Sequence, residues 1–247
     1  MSTSAAQTES DGAGQLLREQ LCLALVPGIG PLARQRLLER FGSAAAVLAA
    51  SADQLQAISG IGPKLARRLV NATDEVDIDA QLEIARAGKV DLLLESHPDY
   101  PPLLKEIDDP PGVLFVRGKL QSIDRLAVAI VGTRHATRYG LAQAERLAKS
   151  LARAGITVVS GMARGIDSAA HRGAIEAGGR TIAVLASGVL RPYPPENAEL
   201  AELIVQNGAV VSESAPTMPP ISGMFPQRNR IISGMTLRMA TVLYKAA

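Results

Sequence analysis

Beyond Leu126, short apolar runs rich in Val, Ile and Ala alternate with longer stretches in which apolar residues recur every three or four positions. The short runs predict strands over 126–131, 156–160, 181–186, 209–213 and 240–244; the longer ones predict helices over 138–154, 167–177 and 196–207. Alternation of the two kinds places the chain in the α/β class, as a Rossmann-like, doubly wound, mainly parallel sheet with right-handed crossovers. The pattern near the N-terminus is different. VPGIGPLARQRLLERFG (Val26 to Gly42) is echoed 32 residues later by ISGIGPKLARRLVNA (Ile58 to Ala72). Each copy joins an apolar helix, a Gly-Ile-Gly-Pro turn and a second helix carrying arginines, which predicts a small all-α domain of paired helical hairpins.

These patterns divide the chain into a disordered leader (1–14), a helical domain (15–75), a connecting segment (76–124) and the sheet domain (125–247). Within the connecting segment a helix is expected over Asp77 to Ala87, followed by a strand in VDLLLES and another over Val113 to Val116. Five prolines, at 98, 101, 102, 110 and 111, mark turns there. His97 precedes one of them without a metal-spaced partner and reads as structural.

Charge sharpens this division. The overall balance is +2, yet residues 15–72 carry a net +4, residues 73–124 a net −7 and residues 125–247 a net +7. Two basic blocks flanking an acidic joint suit an anionic partner such as nucleic acid. No apolar run approaches the ~18 residues of a membrane span, and the first residues lack the basic and apolar regions of a signal peptide. A cytoplasmic protein without a membrane partner is expected. The single cysteine, Cys22, lies within LCLAL and reads as a buried apolar residue.

Ligands of such sheets bind outside the carboxyl ends of the strands. The first strand ends there in Gly132, Thr133 and Arg134, and the second in Ser160-Gly161 followed by Arg164. The third ends in Ser187-Gly188, ahead of RPYPPEN. The fourth ends in Ser212-Glu213 and leads into a long loop containing FPQRNR, with Phe225, Arg228, Asn229 and Arg230. Glycine loops that open helices, with an arginine in each, are suited to phosphate. A dinucleotide does not fit: only Gly132 precedes Gly140, so G-x-G-x-x-G is missing, and no acid ends the second strand to hold a ribose hydroxyl. A P-loop motif does not occur. No cofactor is expected.

Catalytic constellations are thin. Asp167 and His171, four residues apart on one helix face, read either as an acid–base pair or as a charge at the helix N-terminus above a packed histidine. Glu213 reads as the partner of an arginine. Ser160 and Ser187 lack a nucleophile elbow, His135 has no assigned role, and no metal-ligand cluster is present. No catalytic residue is expected.

The ordered strings VAIVGTR, YG, VVSGMARGIDSAAH, GGRTIAVLASGV, YPPEN, SE and FPQRNRIISG resemble the DprA/Smf family of DNA-processing proteins, over about residues 90 to 237. The N-terminal repeat resembles helix-hairpin-helix, or SAM-like, domains. The family resemblance implies a non-enzymatic protein that binds and protects single-stranded DNA in natural transformation and recombination and loads RecA onto it. It implies DNA contacts at Gly132, Thr133, Arg134, Gly161, Arg164, Phe225, Arg228, Asn229 and Arg230. Phe225 has two readings, a base-stacking side chain or a core residue, and Asn229 reads as a contact or a loop stabiliser. The hairpin turns (Gly28, Gly30, Gly60, Gly62, with Lys64) form a secondary contact set or serve packing alone. Ser222-Gly223-Met224 stands where relatives often carry basic or aromatic side chains. Relatives continue past TVLYKAA and draw on that part for a homodimer, and Lys245 stands about where they carry an acid. The sheet domain is therefore expected to be incomplete at its C-terminus. The competing class is a Rossmann-like nucleoside-phosphate hydrolase of the lysine-decarboxylase-like type, whose PGGxGT-type loop this sequence lacks.

Overall fold

A computed structural model describes residues 3–242. They form two units: one running to Glu83 together with Pro111–Val113, the other comprising Ile84–Pro110 and the chain from Leu114 onward. Lys245 and the last residues of the strand expected over 240–244 lie outside the described residues.

The first unit contains α1 (Thr3–Leu25), α2 (Pro31–Phe41), α3 (Ala44–Leu48), α4 (Ala52–Gln56), α5 (Pro63–Val70) and α6 (Ala72–Glu75), and α7 (Ile78–Ala87) starts within it. The disordered leader expected over 1–14 is corrected here, because α1 runs through it from Thr3. The apolar stretch Leu16 to Leu25 nucleates this helix, and Ala, Gln and Glu before it are helix formers that let it propagate outward. Cys22, Leu23, Leu37, Val47, Leu55, Ile61 and Leu69 pack as one core, and Cys22 is buried as a free thiol, as its apolar surroundings predict. The two repeat copies clasp each other reciprocally. Arg36 of the first donates to the Ser59 carbonyl in the second copy's turn at 3.0 Å, and Arg68 of the second donates to Pro27 in the first copy's turn at 2.7 Å. Arg36 and Arg68, like Pro27 and Ser59, are equivalent positions of the 32-residue repeat. Gly28 and Gly60, both at φ +90°, supply the left-handed residue each turn needs.

The second unit is built on a sheet of β1 (Asp91–Leu94), β2 (Val113–Gly118), β3 (Ala127–Gly132), β4 (Thr157–Ser160), β5 (Thr181–Val184), β6 (Gly208–Ser212) and β7 (Arg238–Val242). Its order among the described residues is β1-β2-β6-β5-β4-β3-β7. The β3–β4, β4–β5, β5–β6 and β3–β7 pairs are parallel and β2–β6 is antiparallel. The segment read as a connection thus contributes β1, β2 and the short α8 (Pro102–Lys105) to this unit.

Alternation along each strand assigns the two faces. Ala129, Val159, Ile182 and Val211 point into a core shared with Ile231, Ile232 and Met235 of α12 (Met224–Gly234). Ile130 and Val158 point the other way, onto α9 (Arg138–Arg153) and α10 (Ile166–Glu176); α11 (Ala198–Asn207) packs beside α10. The α9–α10 contact is close because it is made of small residues. A Cβ on Gly173 would lie 2.5 Å from the Glu145 carbonyl. Strands β3 to β6 progress in one direction and β7 returns to the far side of β3, which is the doubly wound arrangement expected.

One element departs from the sequence expectation. FPQRNR lies in helix α12, not in a loop. Pro226 is tolerated because it stands in the first turn, where its missing N–H has no intrahelical partner to lose. The buried face is Arg228, Ile231, Ile232 and Met235, a helical i, i+3, i+4, i+7 stripe whose first position is a charged residue. That charge conceals the period.

Candidate nucleic-acid interface

The loops after β3 and β4 pack directly on one another. Gly165, at φ +77°, sits so close that a Cβ there would lie 2.3 Å from the Thr133 carbonyl, and the Ile166 N–H donates to that carbonyl at 3.3 Å. Thr133 also closes its own turn, its hydroxyl accepting from the His135 N–H at 3.2 Å. Gly132, Thr133 and Arg134 are thereby held against the second loop, with the Arg134 side chain exposed.

Beneath them lies a buried polar layer. Asp167 is 4% exposed, and its Oδ2 accepts from the N–H groups of Gly161 at 3.2 Å and Ala163 at 3.3 Å. Burial pushes its carboxyl pKa up, opposed by the Arg228 charge and by these backbone donors. Arg228 is 6% exposed; its Nη1 donates to Gly161 O at 2.8 Å and to Val184 O, and its Nε to Asn229 Oδ1 at 3.2 Å. Burial lowers the Arg228 pKa to about 10, with Asp167 opposing and Arg134 adding to the fall, so the guanidinium stays charged at neutral pH. Asn197 completes the layer by donating to Met162 O at 2.9 Å and Ser168 Oγ at 2.8 Å.

His171 does not pair with Asp167. Its Nδ1 lies 2.7 Å from Thr181 Oγ1, and that hydroxyl donates its one proton to Val158 O at 2.8 Å. Thr181 must therefore accept from Nδ1–H, which leaves Nε2 as a lone pair, and Nε2 has no partner. Complete burial, then the Arg228 and Arg172 charges, push the histidine pKa down to about 3. The packed-histidine reading of the sequence holds, with Asp167 tying the loop.

Four of the expected DNA contacts have partners within the protein. Gly161 is buried and its N–H and carbonyl are engaged by Asp167 and Arg228, so it is a packing position. Arg228 points into the interior, where a charge needs fixed partners and finds two carbonyls and a carboxylate nearby. Arg230 forms ion pairs with Glu213 and, at 3.2 Å, with Asp109, and its side chain is only 16% exposed. Glu213 pairs with an arginine, as expected. Asn229 is exposed, with its Oδ1 supporting Arg228.

Arg134, Arg164 and Phe225 present side chains beside the two glycine loops, with Gly132 and Thr133 partly accessible and Asn229 exposed. The Arg134 guanidinium lies 5.1 Å from the centre of the Phe225 ring, and that ring meets Tyr193 edge-on at 5.9 Å and 64°. Phe225 is half-buried. It is neither a core residue nor a free one, but a platform clamped between a cation and a second ring. Arg164 pairs with Glu196, both about half exposed. This pairing, with Tyr193 close by, raises the arginine pKa, and the Arg164 hydrogen bond holds the Glu196 carboxyl below its usual range. Beside the loops an open depression of about 520 Å³ is lined by Arg134, His135, Arg164, Arg172 and Glu145 among others. The sequence reading missed Tyr193 and Arg172. The signal for Arg172 was its spacing, four residues beyond Ser168 on the helix that the second glycine loop opens.

In the helical unit the hairpin turns lie at the surface, with Gly28, Gly60, Gly62 and Lys64 exposed and Gly30 partly so. Helices α2 and α5 start at Gly30 and Gly62, each followed by proline, with no side-chain cap on their first amides. Uncapped N-terminal amides are available to an external anion.

No helix among the described residues is long and apolar enough to cross a membrane. Residues 23–75 match a SAM-like helix-hairpin-helix tandem. The chain is 36% identical over 220 residues to Protein Smf of Synechocystis sp., a match that covers 87% of this chain and 55% of that one. The chain spans about half the length of such relatives. It is similar to the crystal structure of DNA processing protein A from Streptococcus pneumoniae, with a TM-score of 0.72 and 30% identity over 90% of this chain and 75% of the other. A second likeness is to DNA processing protein A from Helicobacter pylori, described for its single-stranded DNA binding mode, with a TM-score of 0.56 and 31% identity over 62% of this chain and 68% of that one. Residues 91–247, more than half the chain, match the DNA recombination-mediator protein A model, and the chain belongs to that family, whose members are named DprA or Smf.

Proposed function

We propose that the chain binds single-stranded DNA irrespective of sequence, gripping phosphate with Arg134 and the Gly132–Thr133 turn and stacking a base against Phe225. The observation that carries this reading is the Arg134–Phe225 pair, a cation and an aromatic face 5.1 Å apart above two interlocked glycine loops. Phosphate contact plus stacking is the sequence-tolerant way to hold a single strand, since every base has a π-face. Arg164 joins the grip once a phosphate displaces Glu196. The hairpin turns at Gly28–Gly30 and Gly60–Gly62, with Lys64, supply a secondary backbone contact.

The reading is non-enzymatic. The carboxylates near the site are engaged: Asp167 with loop amides, Glu196 with Arg164, Glu213 with Arg230 and Glu145 with Lys149. None is poised as a general base, which also counts against a nucleoside-phosphate hydrolase. Binding of this kind protects the strand from nucleases in the cytoplasm and presents it to RecA during transformation and recombination, the role implied by the family. A homodimer belongs to the same family-level reading.

The test is fluorescence anisotropy with oligo-dT and mixed-sequence strands at several salt concentrations. Arg134→Ala should weaken binding equally on all sequences and lower the salt slope by about 0.7, the value for one single-strand phosphate. An unchanged curve would remove Arg134 from the site.

A further inference from the structure

The depression beside the loops extends the site toward α10, beyond the phosphate-binding turn itself. Arg134 and His135 enter its wall from the loop after β3, Arg164 from the loop after β4, and Arg172 from the middle of α10. Glu145 is in the same wall, but it is taken by Lys149 at 2.6 Å, which also holds Glu176 at 2.9 Å. Arg164 is held by Glu196. Arg172 differs from both: it is exposed, and among the described residues it forms no ion pair. A concave wall carrying guanidinium groups without enough carboxylates to balance them favours an oxyanion, and the planar fork of arginine fits phosphate.

Distance along the helix decides which phosphate. Arg172 stands seven residues past the helix-opening Gly165, roughly 10 Å along the axis at 1.5 Å per residue. That offset along the helix leaves room for a second phosphate beyond the one held at the Gly132–Arg134 turn. We propose that Arg172, with His135 beside it, forms a second phosphate subsite for an internal phosphodiester of the same single strand, so that the strand runs from Phe225 past Arg134 and along α10. This inference rests on the single-stranded DNA reading above.

Affinities of the full chain for oligo-dT strands of increasing length, with and without a 5′-phosphate, test it. Arg172→Ala should weaken binding several-fold and lower the salt slope by about 0.7 on long strands. On strands too short to pass beyond Arg134 it should have no effect, and the 5′-phosphate should make no difference. Thermal stability should be unchanged, since Arg172 is exposed and unpaired. Arg153→Ala, at the far end of α9, serves as the control for diffuse charge and should bind like the parent. The subsite is overturned if Arg172→Ala binds long strands like the parent, if it matters only on 5′-phosphorylated strands, or if Arg153→Ala loses as much. Should the parent protein fail to bind oligo-dT at all, the underlying reading fails. Should Arg134→Ala weaken binding while Arg172→Ala does not, only the subsite fails.

Discussion

Gly161 and Arg228 are shaped to each other. A Cβ on Gly161 would stand 2.5 Å from both terminal nitrogens of the Arg228 guanidinium, whose Nη1 donates to the Gly161 carbonyl at 2.8 Å. The glycine of the second loop thus makes room for a buried arginine, and that arginine carries the positive charge facing Asp167.

Removing either member should destabilise the domain. Arg228→Ala leaves the Gly161 and Val184 carbonyls and the Asp167 carboxylate without their cation, at a cost on the order of 3–5 kcal/mol. Gly161→Ala should cost about 1–3 kcal/mol through overpacking. Urea denaturation measures both. A parent-like midpoint for Arg228→Ala, with single-stranded DNA affinity lost, would return Arg228 to the DNA-contact role that the sequence suggested.

Phe225 should behave as a binding residue. Because the ring is half-buried against Tyr193 and Arg134, Phe225→Ala should lower DNA affinity by the stacking contribution of roughly 1–3 kcal/mol. Phe225→Trp should retain binding. Thermal melting run alongside separates this from a packing role, in which the midpoint would fall and affinity per folded molecule would stay constant.

Glu196 competes with phosphate for Arg164. Glu196→Gln should raise affinity for oligo-dT a few-fold at neutral pH and steepen the salt dependence, because Arg164 no longer exchanges one anion for another. Lower affinity in that variant would mean that the ion pair positions Arg164 for the strand.

Acid should weaken the fold through His171. The folded imidazole stays neutral down to about pH 3, whereas in the unfolded chain it titrates near 6.5. Between those values the unfolded state binds the extra proton, so this histidine's contribution to stability falls as pH falls through that window. The denaturation midpoint of the parent should drop on acidification from about 6.5, and His171→Asn should lose less. An NMR titration of the histidine side chains gives a second measure. A His171 signal titrating near its ordinary value would refute the neutral assignment.

The alternation of strand and helix after Leu126, the two hairpin copies and the loops carrying Arg134 and Arg164 were legible along the chain. Each of these is written in local periodicity or in glycine and proline punctuation, which act within a few residues. The sequence also carried the buried role of Cys22, which sits in apolar surroundings along the chain, while His171 kept two readings that the hold of Thr181 on its ring resolves. Which arginines face outward depends on packing between distant parts of the chain. Arg228 and Arg230 read like any basic pair, yet α12 turns one into the core and lays the other against Glu213 and Asp109, partners 15 or more residues away in the chain. Likewise Tyr193, Phe225 and Arg134 come from three separate connections that meet only when the parallel strands align their carboxyl ends. Helical or strand spacing is a property of neighbours along the chain. The direction of a charged side chain is set by what packs against it from elsewhere.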